Sequence, residues 1–348
     1  MGKRTYTYDG SDWVGLTSTT ADLSNYANMT NTPISGFRNV LINGDFKVWQ
    51  RGTSFTYSSG QPYTADRWCT TPSGTAAYSV SRQTASLTGT QYCLRLQRTA
   101  SNTNTSLLYL SQPIETVNSI PLAGTTVSFS FYARAGANYS AASSALNVRL
   151  VTGTGTDGNY LVASLTGQET PLDTTATLTT SWQRFTYTAS IASNVNQIQP
   201  SFFYTPVGTA GANDYFEITE VQLEPGTIAT PFEQRPYGME LSLCQRYYEV
   251  ASQCYGRVMS CYDSSAAYAS VEYVVPKRRI PDISVTNGAN ASGWAAYGGG
   301  GTKTITSILV NFVFLDSWQL RVLGSFSAGQ TIHLDSPASN TFFYSAEL

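Results

Sequence analysis

Apolar residues recur at every second position through much of this chain, and that period limits it to pleated structure. Tyr92-Cys93-Leu94-Arg95-Leu96 alternates in this way, as do Thr126 to Phe131, Leu146 to Leu150, Gln183 to Tyr187 and Gln199 to Tyr204. Alternation puts one side of a segment into a core and leaves the other to solvent. Turn-rich stretches separate these segments: Leu87 to Thr90, Thr152 to Asn159 and Gly208 to Asp214. Such spacing is typical of sandwiches. A parallel α/β sheet needs amphipathic helices between its strands, and none is visible from Phe37 to Gly238. An all-β fold with an antiparallel jelly-roll sandwich over residues 37–238 is therefore expected.

Near the end of that span Phe216 and Ile218 lie on one phase and Val221 and Leu223 on the other. A slip of one residue predicts a β-bulge or a strand that changes sheets. Met239, Leu243, Tyr247 and Val250 then fall at helical spacing, which predicts a connector helix over residues 239–250. The remainder, residues 251–348, returns to strand pattern at Ala269 to Val275, Ile305 to Leu315, Gln319 to Leu323 and Thr341 to Tyr344. It is expected to form a second, smaller β domain. No unit repeats every 20–50 residues, so solenoids and propellers are excluded. Residues 1–36 are polar and cannot build a core of their own. This extended N-terminal arm carries one apolar patch, Trp13, Val14 and Leu16, which must bury against the body or a partner; a loose tail is the alternative.

Of the 348 residues only 12% are charged while 13% are aromatic, and the formal net charge is −2. Without a basic surface to neutralise phosphates, nucleic acid is not an expected partner. The cluster Lys277-Arg278-Arg279 reads as a solvated strand end or a subunit contact. The chain has five cysteines, with no CxxC pair, so buried free thiols are expected rather than zinc, in keeping with synthesis in a reducing cytosol. No apolar run has transmembrane length and no signal segment opens the chain, so membrane insertion is not expected.

Reactive groups are sparse. The single histidine, His333, alternates outward in a strand and lacks the context of a hydrolase. Glycosidase chemistry needs two carboxylates facing each other across a bond. Glu217, Glu220, Glu224, Asp45 and Asp66 are available, but three residues of separation puts Glu217 and Glu220 on opposite sides of a regular strand. Gly298 to Gly301 is followed by a strand pattern and lacks the Gly-Lys-Ser/Thr of a phosphate loop. It reads as a loop tip. No enzyme is expected.

Four segments occur in a distinctive order: Asn39 to Gly52 (NVLINGDFKVWQRG), Ala65-Asp66-Arg67-Trp68, Val221-Gln-Leu-Glu-Pro-Gly226, and Ala229-Thr-Pro-Phe-Glu-Gln-Arg-Pro236. Asn43-Gly44 between apolar runs signals a hairpin or tight turn after a strand at Val40 to Ile42. Together the segments resemble a β-sandwich module recurrent in bacteriophage tail-fibre and other virion surface proteins, akin to carbohydrate-binding jelly rolls. The arm resembles the N-terminal segments by which cyanophage-type fibres attach to the virion, and Leu243-Cys-Gln-Arg-Tyr-Tyr248 resembles the entry to a terminal β domain.

The resemblance implies a virion surface protein made in the host cytoplasm: a tail fibre or receptor-binding protein, probing host surface polysaccharide as a homotrimer and docking on other virion proteins through Trp13, Val14 and Leu16. A head fibre or capsid-decoration protein on the same module is the alternative, and a glycan hydrolase a second. Sugars stack on rings, so exposed tyrosines matter. Trp49, Trp68, Trp182 and Tyr204 read as core anchors. Tyr132, Tyr139 and Tyr160, with Trp294 and Tyr297 in the second domain, are the expected carbohydrate contacts. Related jelly rolls often hold a structural Ca²⁺, for which Asn43, Asp45 and Glu217 could supply oxygens.

Overall fold

The computed structural model describes residues 6–8, 13–15, 38–252, 257–285, 295–298, 301–335 and 341–348. Two short strands in the arm, β1 (Tyr6–Tyr8) and β2 (Trp13–Gly15), pair antiparallel. Trp13 and Val14 belong to β2; Leu16 lies outside the described residues.

The first module is a sandwich of two antiparallel sheets. Its strands are β3 (Ser54–Tyr57), β4 (Cys69–Pro72), β5 (Tyr78–Leu87), β6 (Thr90–Arg98), β7 (Leu108–Ser111) and β8 (Thr126–Ala135). There follow β9 (Ala145–Gly153), β10 (Glu169–Thr177), β11 (Gln183–Ser190), β12 (Gln197–Tyr204) and β13 (Tyr215–Pro225). One sheet runs β10-β9-β12-β7-β4 and the other β11-β8-β13-β6-β5-β3. The alternating residues meet between them: Phe129 and Phe131 of β8 pack on Phe202 of β12, with ring centroids 5.5 and 4.8 Å apart. Trp68 and Tyr204 are fully buried in the same core and Trp49 nearly so.

The bulge read from the phase slip is present. β13 shifts register against β8 between Thr219 and Gln222, and Glu220 takes a left-handed φ of +51°. The extra residue lets Phe216, Ile218, Val221 and Leu223 all face the core. A non-glycine residue rarely adopts that φ; here Glu220 accepts a hydrogen bond from the Thr90 hydroxyl.

The expected strand at Val40–Ile42 does not form. Residues 38–53 are bends and turns, because side-chain amides replace ladder partners. Gln112 exchanges two hydrogen bonds with the Ile42 backbone, at 2.8 and 2.7 Å. Asn43 bonds Val48 N and O in the same way, at 2.9 and 2.8 Å. The tight turn at Asn43-Gly44 is real: Phe46 N donates to Asn43 O at 3.1 Å. Gly44 is required by close approach, since a Cβ there would lie 2.1 Å from Val221 O.

The connector helix spans Tyr237–Gln245, shorter than expected. Tyr248–Ser252 is instead a strand, β14, paired with β23 (Thr341–Ser345). Ladder bonding to a distant segment overrides the local helical spacing of Val250. With β17 (Asp282–Val285) these make a three-stranded sheet. The larger sheet of the second module has seven strands: β15 (Arg257–Cys261), β16 (Ala266–Glu272), β18 (Ala295–Gly298), β19 (Gly301–Lys303), β20 (Ile305–Val313), β21 (Ser317–Gly324) and β22 (Thr331–Asp335). Its order is β19-β18-β22-β15-β16-β21-β20. Trp318, Leu320, Ile332 and Leu334 of the larger sheet and Phe342 and Tyr344 of the smaller share one core.

Two of the three residues of the basic cluster are drawn into ion pairs rather than solvated. Lys277 is 2% exposed and its Nζ lies 2.6 Å from Glu249 Oε2. Arg278 reaches across to Asp157 of the first module at 2.8 Å. Only Arg279 of the three remains open to water, with 44% of its side chain exposed. The Arg278–Asp157 pair is partly buried and links the two modules.

Candidate functional site

The four distinctive segments converge, but on a structural knot. Asn39 donates to Val221 O and accepts from Leu223 N, both at 3.1 Å. The Glu233 carboxylate accepts from the backbone N of Arg38 and Asn39 at 3.1 Å. Arg235 donates to the carbonyls of Leu41 and Asn39. Trp68 Nε1 donates to Asn43 O at 3.0 Å, and Asn43 Nδ2 to Asp66 O at 3.1 Å. Every one of these groups is spent on closing the sandwich.

The carboxylates are also engaged. Glu217 lies between two guanidiniums, 2.6 Å from Arg95 Nη2 and 2.6 Å from Arg134 Nε. Glu224 accepts from Thr230 N and hydroxyl at 2.7 and 2.8 Å. Asp45 pairs with Lys47 at 2.9 Å. Asp66 is buried and accepts from Gln50 N at 2.9 Å. The Asn43, Asp45 and Glu217 set does not fit a calcium ion. Glu217 faces two cations, and the Asn43 oxygen is taken by Val48 N. No cluster of three acidic, His or Cys side chains with metal-holding geometry occurs among the described residues. Cys69, Cys93, Cys244 and Cys261 are buried free thiols; burial raises Cys69 to about 12.

The outer face of the sheet β10-β9-β12-β7-β4 is different in kind. Leu146, Val148 and Leu150 of β9 point into the core, so Asn147 and Arg149 point out. Likewise Phe202 and Tyr204 turn Phe203 outward on β12, and Leu108 and Leu110 turn Tyr109 outward on β7. Register then sets Asn147, Phe203, Tyr109 and Thr71 side by side in one rung across four strands. Phe203 and Tyr109 stack, with centroids 4.9 Å apart and planes at 29°. The Arg149 guanidinium lies 4.8 Å over the Phe203 ring and pairs with Asp173 at 2.8 Å. Its Nε is buried without a hydrogen-bond partner.

The turn-rich loop after β9 folds over this sheet. Tyr160 donates from its hydroxyl to Ser201 Oγ at 2.6 Å and from its N to Gln199 Oε1 at 2.9 Å. Gln199 in turn donates to Asn159 Oδ1 and Ser111 Oγ, both at 2.9 Å. Burial raises the pKa of Tyr160 and Tyr109, so both phenols stay neutral donors at pH 7. Phe203 is only 8% exposed beneath Arg149, and Gln199, Asn159, Ser111 and Ser201 are buried; the face presents the half-buried Tyr109, Tyr160, Asn147, Thr71 and Arg149. A pyranose ring with an apolar C–H side and a rim of hydroxyls matches that set.

The expected sugar contacts do not gather here, except Tyr160. Tyr132 lies half-buried on the outer face of the opposite sheet, in register with Arg184 and Thr219. Tyr139 packs on Tyr204 at 4.8 Å and donates to Ala145 O at 3.0 Å, so its ring is part of the core wall. Tyr297 is on the second module, opposite His333; Trp294 lies outside the described residues. His333 is exposed, as its phase implied. Tyr109, Arg149 and Phe203 were not among the expected contacts, although their phase opposite Leu110, Leu150 and Phe202 is written in the sequence.

No family model matches this chain, and no curated protein matches it. Among solved structures it is similar to a CBM4 structure, at 20% identity and a TM-score of 0.31, over 53% of this chain and 98% of the other. It is similar to TmCBM61 in complex with β-1,4-galactotriose, at 15% identity and 0.32, over 55% and 100%. It is also similar to the enzymatically active domain of tailspike protein 4 of bacteriophage CBA120, at 11% identity and 0.36. That match covers 54% of this chain and 22% of the tailspike chain. Likeness at this level carries no argument about ligands.

Proposed function

We propose that this chain binds glycans without chemistry, as a surface protein of a bacteriophage virion in the role of tail fibre or receptor-binding protein. The carrying observation is the rung of Asn147, Phe203 and Tyr109 with Arg149 laid over it. The low charge of the chain supports the reading, as only 12% of residues are charged. The non-enzymatic part rests on the carboxylates: Glu217, Glu224 and Asp45 are each engaged within the chain, and Asp173 on the face is paired with Arg149. In this reading the arm docks on other virion proteins and the chain assembles as a homotrimer after synthesis in the host cytoplasm. Three weak sites on one particle then act with the avidity of linked binding.

The test is binding of the full chain to an array of neutral and acidic oligosaccharides, with adsorption to host cells in parallel. Tyr109→Ala is expected to weaken binding at least tenfold, about 1.4 kcal/mol. Unchanged binding by that variant would remove the site from consideration. Shortened oligosaccharide products would overturn the non-enzymatic reading.

A further inference from the structure

The second module carries another ring-and-amide surface, on the side of its larger sheet that faces away from the core. On β15, Met259 and Cys261 are core residues, which turns Ser260 and the following Tyr262 outward. On β16, Ala267 and Val271 face in, leaving Tyr268 out; on β21, Trp318 and Leu320 leave Gln319 out. β20 shifts register against β21 between Val310 and Val313, and Phe312 is left in solvent. Tyr262 is 78% exposed and Phe312 63%. One exposed ring is ordinary, and it is the grouping of several that is informative.

These side chains enclose an open groove. Tyr262 and Tyr268 meet edge to face at 87°, with centroids 6.1 Å apart. Asn311 Nδ2 donates to Gln319 Oε1 at 2.5 Å, and each of the two amides has further donor and acceptor capacity. The groove, of about 390 Å³, is lined by Ser260, Tyr262, Tyr268, Asn311, Phe312 and Gln319. That volume suits a small ligand. No acid or base is among these six residues, and the one guanidinium beside them, Arg321, lies 5.8 Å over the Tyr268 ring; the groove itself offers rings and hydrogen bonds.

We infer that this groove is a second saccharide site, taking a neutral sugar unit between the Tyr262 and Phe312 rings with its hydroxyls on Asn311, Gln319 and Ser260. An apolar peptide would leave the amide pair facing carbon, and leaving polar groups unmatched is costly. A sugar hydroxyl both donates and accepts, and so serves either amide. The inference rests on the glycan-binding reading above and adds a second point of contact within one chain. Two linked sites raise the apparent affinity well beyond either alone.

The experiment compares four full-length proteins on the same oligosaccharide array: wild type, Tyr109→Ala/Arg149→Gln, Tyr262→Ala/Phe312→Ala, and all four substitutions together. Circular dichroism confirms folding, and sedimentation gives the oligomeric state. Each double variant is expected to lose at least tenfold in apparent affinity, and the quadruple variant all binding. Wild-type binding retained by Tyr262→Ala/Phe312→Ala overturns the second site and leaves the first standing. A change in that variant's oligomeric state with binding unchanged assigns the groove to a second copy of the chain and overturns the proposal. Loss of all binding by Tyr109→Ala/Arg149→Gln alone does the same. An array on which the wild type itself is silent removes the glycan reading, and both sites with it.

Discussion

Glu115 and Arg246, 131 residues apart, face each other as a two-pronged ion pair, with Arg246 Nε and Nη2 donating to the two carboxylate oxygens at 3.0 and 2.7 Å. The Tyr247 hydroxyl adds a third bond at 2.8 Å. The pair ties the end of the connector helix to the first module. Together with Arg278–Asp157 and Arg67–Glu347 it joins both modules through charge-assisted bonds.

Burial pushes the Glu115 carboxyl up, but the bonds from Arg246 and Tyr247 outweigh it and hold the group below its ordinary 4.5. A depressed folded pKa contributes stability that is present above about 4.5 and lost as pH falls through the folded value. Glu115→Gln is expected to cost about 1–2 kcal/mol at pH 7, since Arg246 is partly solvated. It should also flatten the acid limb of a plot of Tm against pH. Identical acid limbs in the two proteins would show that the pair contributes nothing.

Asp66 runs the other way. Burial raises it to about 6, against the Arg51 guanidinium and the Gln50 bonds that favour ionisation. A raised folded pKa contributes stability that is complete below the unfolded value of 3.8 and lost as pH climbs towards 6. Asp66→Asn is expected to remove that decline, with any gain at pH 7 offset by the bond from Gln50 Nε2 that an amide nitrogen cannot accept. Urea midpoints measured from about pH 4 to 7 check it. A variant that keeps the wild-type slope would trace the decline to another group.

Glu217 balances Arg95 and Arg134, and its carboxylate is wholly buried. Glu217→Ala leaves two like charges adjacent and is expected to cost about 3 kcal/mol, read as a fall in Tm. Calcium or a chelator should leave the wild-type Tm unmoved. A calcium-dependent rise would reinstate Glu217 as a metal ligand.

Much of the fold was legible because strand period is local. The phase slip at Phe216–Leu223 located the bulge, and the outward phase of His333 was read correctly. Val40–Ile42 was misread because only Val40 N finds a backbone partner, Leu223 O at 2.9 Å; Asn39 and Gln112 side chains hold Leu41 and Ile42 by bonds that no alternation pattern records. Lys277 and Arg278 were read as solvated because Glu249 and Asp157, which bury them, are distant in sequence.

The candidate face was legible only in part. Tyr160 stood out as a loop tyrosine. Phe203 did not, since it lies between Phe202 and Tyr204 in a run of three rings that hides the alternation. By itself the sequence determined that strands form, which residues of each face inward, where the pleat slips, and how few charges the surface carries. All of these follow from neighbours along the backbone. Only the tertiary structure decided that β7, β12 and β9 lie side by side in a register that sets Tyr109 against Phe203 and Arg149 over it. Pairing between strands is a choice among many equally alternating partners, and it is settled by how the whole core packs.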